Sequence, residues 1–341
     1  MHIVKNIHYS LRKIPILGSQ NCSKATALLI LILCFYTEGG KIWAQQEGAQ
    51  TLFMYNTLAI NPGVAGSRDI PTLTLSARKQ WMGFKGAPLQ QNLSFHTPLI
   101  SKRLGFGVTI GNRSIGIFEA QTASLALSYS PIRTKDFALR IGLQGSARRL
   151  SFRFEDAAQA EILTNERTSA SNLLRPRVFG NFGMGVFMNY KDCFLGFSVP
   201  FYYSNIIGIN TNTPQTAFEQ PHYYFIMGLT LPLWDNLYWK PSAMFRKTPT
   251  APWGLELNNS INFNDKITLG GSYRLGQASA SDIGESMDIL MFFQVNDKWG
   301  IGGSYDFPLS ELKKYTDGSF EVVARFDLKK STLRFSNPRV F

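Results

Sequence analysis

Charge is scarce in this chain. Only 17% of its 341 residues are charged, histidine occurs four times and cysteine three. Cys22 and Cys34 lie in the first 44 residues, so Cys193 stands by itself in the remainder and no intrachain disulfide is available there. Beyond residue 44 the only histidines are His96 and His222. With no cysteine or histidine cluster at metal-ligand spacing, neither a metal nor any other cofactor is expected. Past the leader there is no run of 18 apolar residues, although 44% of the chain is hydrophobic. That combination excludes a helical membrane protein and a disordered chain alike.

Lys5, Arg12, Lys13 and Lys24 precede an apolar stretch from Ala25 to Tyr36, and a short polar segment then ends in Ile42-Trp43-Ala44. This is the layout of a secretory signal peptide, here residues 1–44, cut after Ala44. The apolar run is too short for a membrane anchor, which needs about 20 residues. Cleavage leaves 30 basic and 22 acidic residues, a net charge of +8. An exported chain does not routinely meet nucleic acid, and no stripe of Lys or Arg interleaved with aromatics is present, so the charge reads as lumenal and surface decoration.

The dominant positive signal is two-residue alternation. In 103–111, Leu104, Phe106, Val108 and Ile110 share one side of an extended chain while Gly105, Gly107, Thr109 and Gly111 share the other. Similar windows fall at 72–81, 91–97, 121–130, 137–149, 179–190, 193–199, 222–233, 237–246, 253–263, 266–274, 286–295, 298–306 and 319–328. Segments of roughly ten residues with one greasy face suit tilted membrane strands, so an all-β transmembrane antiparallel β-barrel of about 14 strands is predicted. Lys191-Asp192, Trp234-Asp235-Asn236, Asn264-Asp265 and Asn296-Asp297 mark tight turns, and longer connections intervene at 152–178, 200–221, 275–285 and 307–318. Such barrels place short turns in the periplasm and long loops outside, and an even strand number then puts both chain ends in the periplasm.

The charges obey the same phase. Arg78, Arg140, Arg148, Arg246, Glu256, Arg274, Asp288, Asp306, Arg325 and Asp327 all fall opposite the apolar face, while Lys79 and Arg149 break phase at strand ends. A lipid-facing charge at mid-bilayer costs about 2–4 kcal/mol, so inward sorting is what a barrel requires. A soluble sandwich also alternates. Trp81, Trp234, Trp239, Trp253 and Trp299, however, sit at strand ends as in an interfacial girdle, and this favours the barrel.

Three motifs have blander readings. Asn92, Ser94 and His96 share one face of a strand, but residues i and i+2 lie about 6–7 Å apart, a poor geometry for nucleophile and base. Lumenal polar residues explain them, and no enzymatic activity is expected. Gly105 to Gly111 faintly resembles a dinucleotide loop, yet its third glycine is one residue late and no helix follows; small lumenal residues explain it better. Residues 45–70 alternate weakly and contain a turn-rich Asn61-Pro62-Gly63-Val64-Ala65-Gly66-Ser67, so they form either a periplasmic N-terminal segment or a plug in the lumen. A barrel of about 14 strands encloses more room than side chains fill, which tips the expectation towards the plug. The barrel itself spans 71–328, and 329–341 is a C-terminal periplasmic tail.

Several blocks resemble one family. The stretch Tyr55 to Ser67 with Asn61, Pro62, Ala65 and Gly66, the run Gln80 to Pro88 with Trp81, Gly83, Phe84, Gly86 and Pro88, and Leu93 to Leu99 with Ser94, His96 and Pro98 resemble the start of the PorP/SprF family of type IX secretion system membrane proteins. Asn181 to Val186, Leu195 to Pro200, Ser272 to Arg274, Ser304 to Leu312 with Tyr305 and Asp306, and the ending Asn337 to Phe341 with Pro338 and Arg339 continue the resemblance. Gly318-Ser319-Phe320-Glu321 stands where the family usually has Gly-Ser-His-Glu, so Gly318 and Glu321 match and Phe320 departs. Gly63-Val64 likewise replaces a common Ala-Tyr pair.

The resemblance implies an outer-membrane barrel of Bacteroidetes-type bacteria that assists secretion or cell-surface anchoring of cargo such as gliding adhesins. Implied partners are outer-membrane lipid, periplasmic ring components of the type IX apparatus and cargo with C-terminal sorting domains. The competing expectation is a channel for solutes or apolar ligands, motivated by the inward arginines. Mass spectrometry of the protein recovered from membranes should find a mature N-terminus at Gln45; retention of residues 1–44 would refute the signal-peptide assignment.

Overall fold

Alternation along each strand and consecutive pairing between them produce a closed cylinder. The computed structural model describes residues 50–99, 102–116, 118–152, 176–204, 220–249, 251–276 and 285–328. The expected signal peptide (1–44) and the expected C-terminal tail (329–341), with Pro338 and Arg339, lie outside the described residues, as does most of the 152–178 connection. The strands are β1 (Thr72–Lys79), β2 (Leu89–Pro98), β3 (Leu104–Ile115), β4 (Phe118–Arg133) and β5 (Phe137–Phe152). They continue as β6 (Arg177–Tyr190), β7 (Cys193–Val199), β8 (Tyr223–Leu229, extended by Leu231–Trp234) and β9 (Leu237–Thr248). β10 (Ala251–Phe263), β11 (Ile267–Gly276), β12 (Ser286–Gln294), β13 (Trp299–Pro308) and β14 (Ser319–Asp327) complete the wall. Each strand pairs antiparallel with its sequence neighbours, and β1 pairs with β14 from Thr72↔Asp327 to Lys79↔Phe320, so the sheet closes on itself. Closure is what lets a sheet stand in hydrocarbon, because every ladder group finds a partner.

All fourteen expected windows became strands, and their irregularities have local causes. β8 is interrupted at Thr230, whose N–H bonds the Asp192 carbonyl at 2.8 Å, and Pro232 beyond it has no N–H to offer. In β4 the register with β5 shifts between Tyr129 and Ile132, at Pro131. Asn264 and Asp265 both take positive φ, +51° and +55°, the backbone of a tight hairpin turn whose twist matches the strands. One end of the barrel carries these short turns. The other carries the longer connections, with two exceptions: β3 to β4 and β9 to β10 are joined by only two residues, because alternation in those strands runs further than the windows showed.

Faces sort as charge demanded. Arg78, Arg140, Glu256, Arg274, Asp288, Asp306, Arg325 and Asp327 are buried within the cylinder, whereas Leu75, Ile110, Leu125, Leu127, Ile141, Leu143, Ile289 and Met291 are exposed on its outside. Lys79 and Arg149 point outward near the long-connection end, Lys79 donating to the Ala87 carbonyl at 3.2 Å. Trp81, Trp234, Trp239 and Trp299 are exposed at the ends of strands. Leu143, 63% exposed, lies in the middle of the outward apolar row of β5. Leu143→Arg should therefore lower unfolding free energy in lipid vesicles by about 2–4 kcal/mol in a urea titration, and Gly145→Ala on the same face should change it little.

Candidate functional site

Residues 51–70 have apolar content without a strand or helix period, and they fold into three 3₁₀ turns, Phe53–Tyr55, Thr57–Ala59 and Pro62–Val64. Asn61 starts the third: its Oδ1 accepts the Gly63 N–H at 2.8 Å, and Pro62 at the first helical position has no N–H to waste. The segment sits inside the cylinder. Leu52, Phe53, Leu58, Ile60, Val64 and Ala65 are all buried against the inner wall. Phe53, Met54, Ile60 and Val64 pack with Phe187, Phe194, Tyr224, Ile226 and Met244, while Leu52 joins Leu290, Phe292 and Val323 on the opposite side. Tyr55 stacks on Phe292 with ring centroids 4.1 Å apart, and the Arg325 guanidinium lies 5.0 Å from the same ring.

One row of the wall is built to receive this chain. Gly105, Ser128, Gly142, Gly185 and Ser198 are successive ladder partners on β3 to β7, so five small residues lie side by side in one row across five strands. Ser128 Oγ donates to the Ala65 carbonyl and Ser198 Oγ to the Ile60 carbonyl, each at 2.7 Å. A Cβ on Gly105 would stand 2.1 Å from the Ala65 oxygen, and one on Gly142 would stand 2.3 Å from the Pro62 carbonyl carbon. Side chains of any size would thus occupy the volume that backbone 60–66 fills. Asn61 Nδ2 donates to the Val186 carbonyl at 3.1 Å. Gly66, with φ +68°, approaches Gly105 and Pro98, and its N–H donates to His96 Nδ1 at 3.2 Å. His96 is thereby a seat for the lumenal segment, and Ser94 lies buried two residues away.

Charge fixes both ends. Towards the long connections, the Thr51 hydroxyl accepts from Arg78 Nη1 at 3.2 Å and Arg274 Nη2 at 3.0 Å, and its single proton faces Asp288 and Asp306 at 3.0 and 3.1 Å. The Thr51 N–H donates to Glu321 at 2.9 Å. Arg78 pairs with Asp306 and Glu321, and Arg274 pairs with Glu256, Asp288 and Asp306, all buried. Towards the short turns, Arg68 pairs with Asp327 at 3.0 Å and Asp69 with Arg133 at 2.7 Å. The segment therefore crosses the lumen, from Thr51 at the long-connection end to Asp69 beside the start of β1. Alternation alone put both chain ends on the short-turn side, and the first described residues lie instead at the far end. A segment that packs against both walls, not one that hangs below them, accounts for the difference.

The remaining family positions build the rim over that end. Met82 N–H bonds the Gly318 carbonyl at 2.8 Å, Asp317 N–H returns to the Met82 carbonyl at 2.9 Å, and Gly116 N–H reaches the Gly86 carbonyl at 2.8 Å. Gln80 N–H bonds the Pro88 carbonyl at 2.9 Å, and Tyr305 donates its hydroxyl to the Asp317 carbonyl. Trp81, Gly83, Gly86 and Gly318 all have positive φ, and Phe84 is exposed on this loop. Phe320, where the family resemblance departs, faces outward and is exposed. At the second departure a methyl on Gly63 would meet Gly185 and Phe187 backbone atoms at 3.1 Å, so glycine suits the closer seat found here. Thr51, Arg68 and the small-residue row are not singled out by the sequence; the row's only trace there is inward small residues on neighbouring strands, invisible without the register.

Over residues 42–326 the sequence matches the family described as "Type IX secretion system membrane protein PorP/SprF". The chain belongs to the PorP/SprF family. It is a type IX secretion system membrane protein, and its closed barrel places it in the outer membrane. Among curated proteins no match was found. Its fold is similar to the Pseudomonas putida toluene transporter TodX, at 11% identity and a TM-score of 0.46, covering 84% of this chain and 98% of that one. It is also similar to a Pseudomonas aeruginosa FadL homologue, at 13% identity and a TM-score of 0.44, covering 82% and 94%. A third similar structure is Omp33 of Acinetobacter baumannii, at 7% and 0.45, covering 76% and 98%.

Arg78→Ala should leave Asp306 and Glu321 buried without their shared cation, an error that costs about 3–5 kcal/mol. The expected outcome is release of the lumenal segment, measured as faster thiol labelling of a cysteine placed at Leu58 in a Cys193→Ser background. Unchanged labelling would show that the ion pairs do not hold it.

Proposed function

We propose that this barrel assists the secretion, or the retention at the cell surface, of type IX cargo proteins that carry C-terminal sorting domains, gliding adhesins among them. Its short-turn end, in the periplasm, meets ring components of the apparatus, and its larger connections and the 80–88 rim face outward. Family membership supports the secretion role. The observation that carries the rest is the occupied lumen: with residues 51–70 packed against wall residues on both sides, the surfaces available to partners are the rims and the outer wall. Export through the signal peptide and a non-catalytic role belong to the same reading.

A channel for solutes or apolar ligands is the competing reading, motivated by the inward arginines. Arg78 and Arg274 are engaged with buried carboxylates around Thr51, which supports a role in holding the segment. Two measurements separate the readings. Deleting the gene should leave at least one sorting-domain cargo missing from the cell surface, and normal display of all of them would overturn the proposal. In planar bilayers the purified barrel should pass no steady current, whereas removal of residues 51–70 should open it; conductance by the intact chain would favour the channel.

A further inference from the structure

The short-turn rim is electrically lopsided. The β2–β3, β4–β5 and β6–β7 turns carry Lys102, Arg103, Lys135 and Lys191, all exposed, against Asp136 and Asp192. The other three turns carry Asp235, Asp265 and Asp297 against Lys266 and Lys298. The first half is thus net +2 and the second net −1, on turns that are spatial neighbours around the ring.

The basic half is also fixed in place. Lys102 holds a left-handed backbone with φ +54°, and its carbonyl accepts from Arg133 Nη1 at 3.2 Å and Arg140 Nη2 at 3.0 Å. The Lys191 N–H bonds the Asp136 carbonyl at 2.7 Å, tying the β4–β5 and β6–β7 turns together. Directly beside these cations lies the outward aromatic band of the same strands. Tyr129 and Tyr190 are exposed, Phe137 meets Tyr190 edge-on with centroids 6.4 Å apart, and Lys191 Nζ stands 5.5 Å from the Tyr190 ring centre. Aromatic rings of this kind mark headgroup depth, so the ammonium and guanidinium groups lie where lipid phosphates lie.

We propose that the β2–β7 side of the short-turn rim is a binding surface for anionic phospholipid headgroups of the inner leaflet. The cations are continuous with the lipid-facing wall, and this favours lipid over an acidic protein surface, which would meet the turns from below. Each basic group near a membrane surface strengthens anionic-lipid binding several-fold, so four of them should produce a preference of about tenfold or more. The effect weakens with salt.

Native mass spectrometry of the full-length barrel with equal phosphatidylglycerol and phosphatidylethanolamine tests it. The wild type should retain phosphatidylglycerol at least about tenfold better, and K102Q/R103Q/K135Q/K191Q should lose that preference. K266Q/K298Q, on the other half, should keep it. Heat-modifiable gel mobility verifies folding, and K102Q/R103Q and K135Q/K191Q made separately should each lose part of the preference if the quadruple variant does not fold. A wild type without preference, or basic-half variants that retain it, overturns the proposal. So does a quadruple variant that keeps its lipid but loses a co-purifying acidic protein.

Discussion

In hydrocarbon a backbone N–H or C=O without a partner is among the most expensive defects a protein can carry. The pairing of β1 with β14 closes the sheet into a ring, and nearly everything else follows from that closure. A closed cylinder has an inside, so each strand must send one face to lipid and the other to the lumen. The phase of the charges, the outward Leu, Ile and Met, and the aromatic ends are consequences of that single topological fact. Where the ladder is disturbed, at Thr230 and Pro131, the disturbance is absorbed by another carbonyl or by a register shift.

Closure with fourteen strands creates a second constraint, because the ring is too wide for its inward side chains to fill. Residues 51–70 meet that need with two kinds of contact. Dry packing against Phe187, Ile226, Leu290 and Val323 gives the segment an environment like a protein core. Polar fastening at Thr51 and Arg68 makes the fit specific, since the four carboxylates around Arg78 and Arg274 are tolerable in a buried place only as a connected network. A barrel lumen with an unbroken serine and glycine row across neighbouring strands is selective for main chain, which needs close approach and donors for its carbonyls more than side-chain pockets.

The rim and the lumen are joined through shared strands. Asp306 and Glu321 hold Thr51 from β13 and β14, and the connection between those strands presents Asp317 and Gly318 to the Met82 loop. Motif positions distant in sequence thus converge on two structural tasks, seating the lumenal segment and tying down the rim at the long-connection end. The lipid-facing wall is left free to contact membrane and partners.

Strand number, strand phase, the identity of the inward charges and the weak alternation of 45–70 were legible in the sequence. Side-chain alternation is a local consequence of extended backbone, and a lipid-facing charge is too costly to hide. Two short connections at the long-connection end and the course of the first described residues were not legible, because both depend on how far strands run and on what fills the ring. His96 illustrates the division. Its inward direction follows from parity, yet its role as acceptor for Gly66 arises from a chain thirty residues away. Likewise Gly105, Gly142 and Gly185 are merely small in sequence. Only the register, set by the fourteen-strand closure, aligns them with Ser128 and Ser198 into a seat, because lateral neighbours across a sheet are fixed by long-range pairing and not by local propensity.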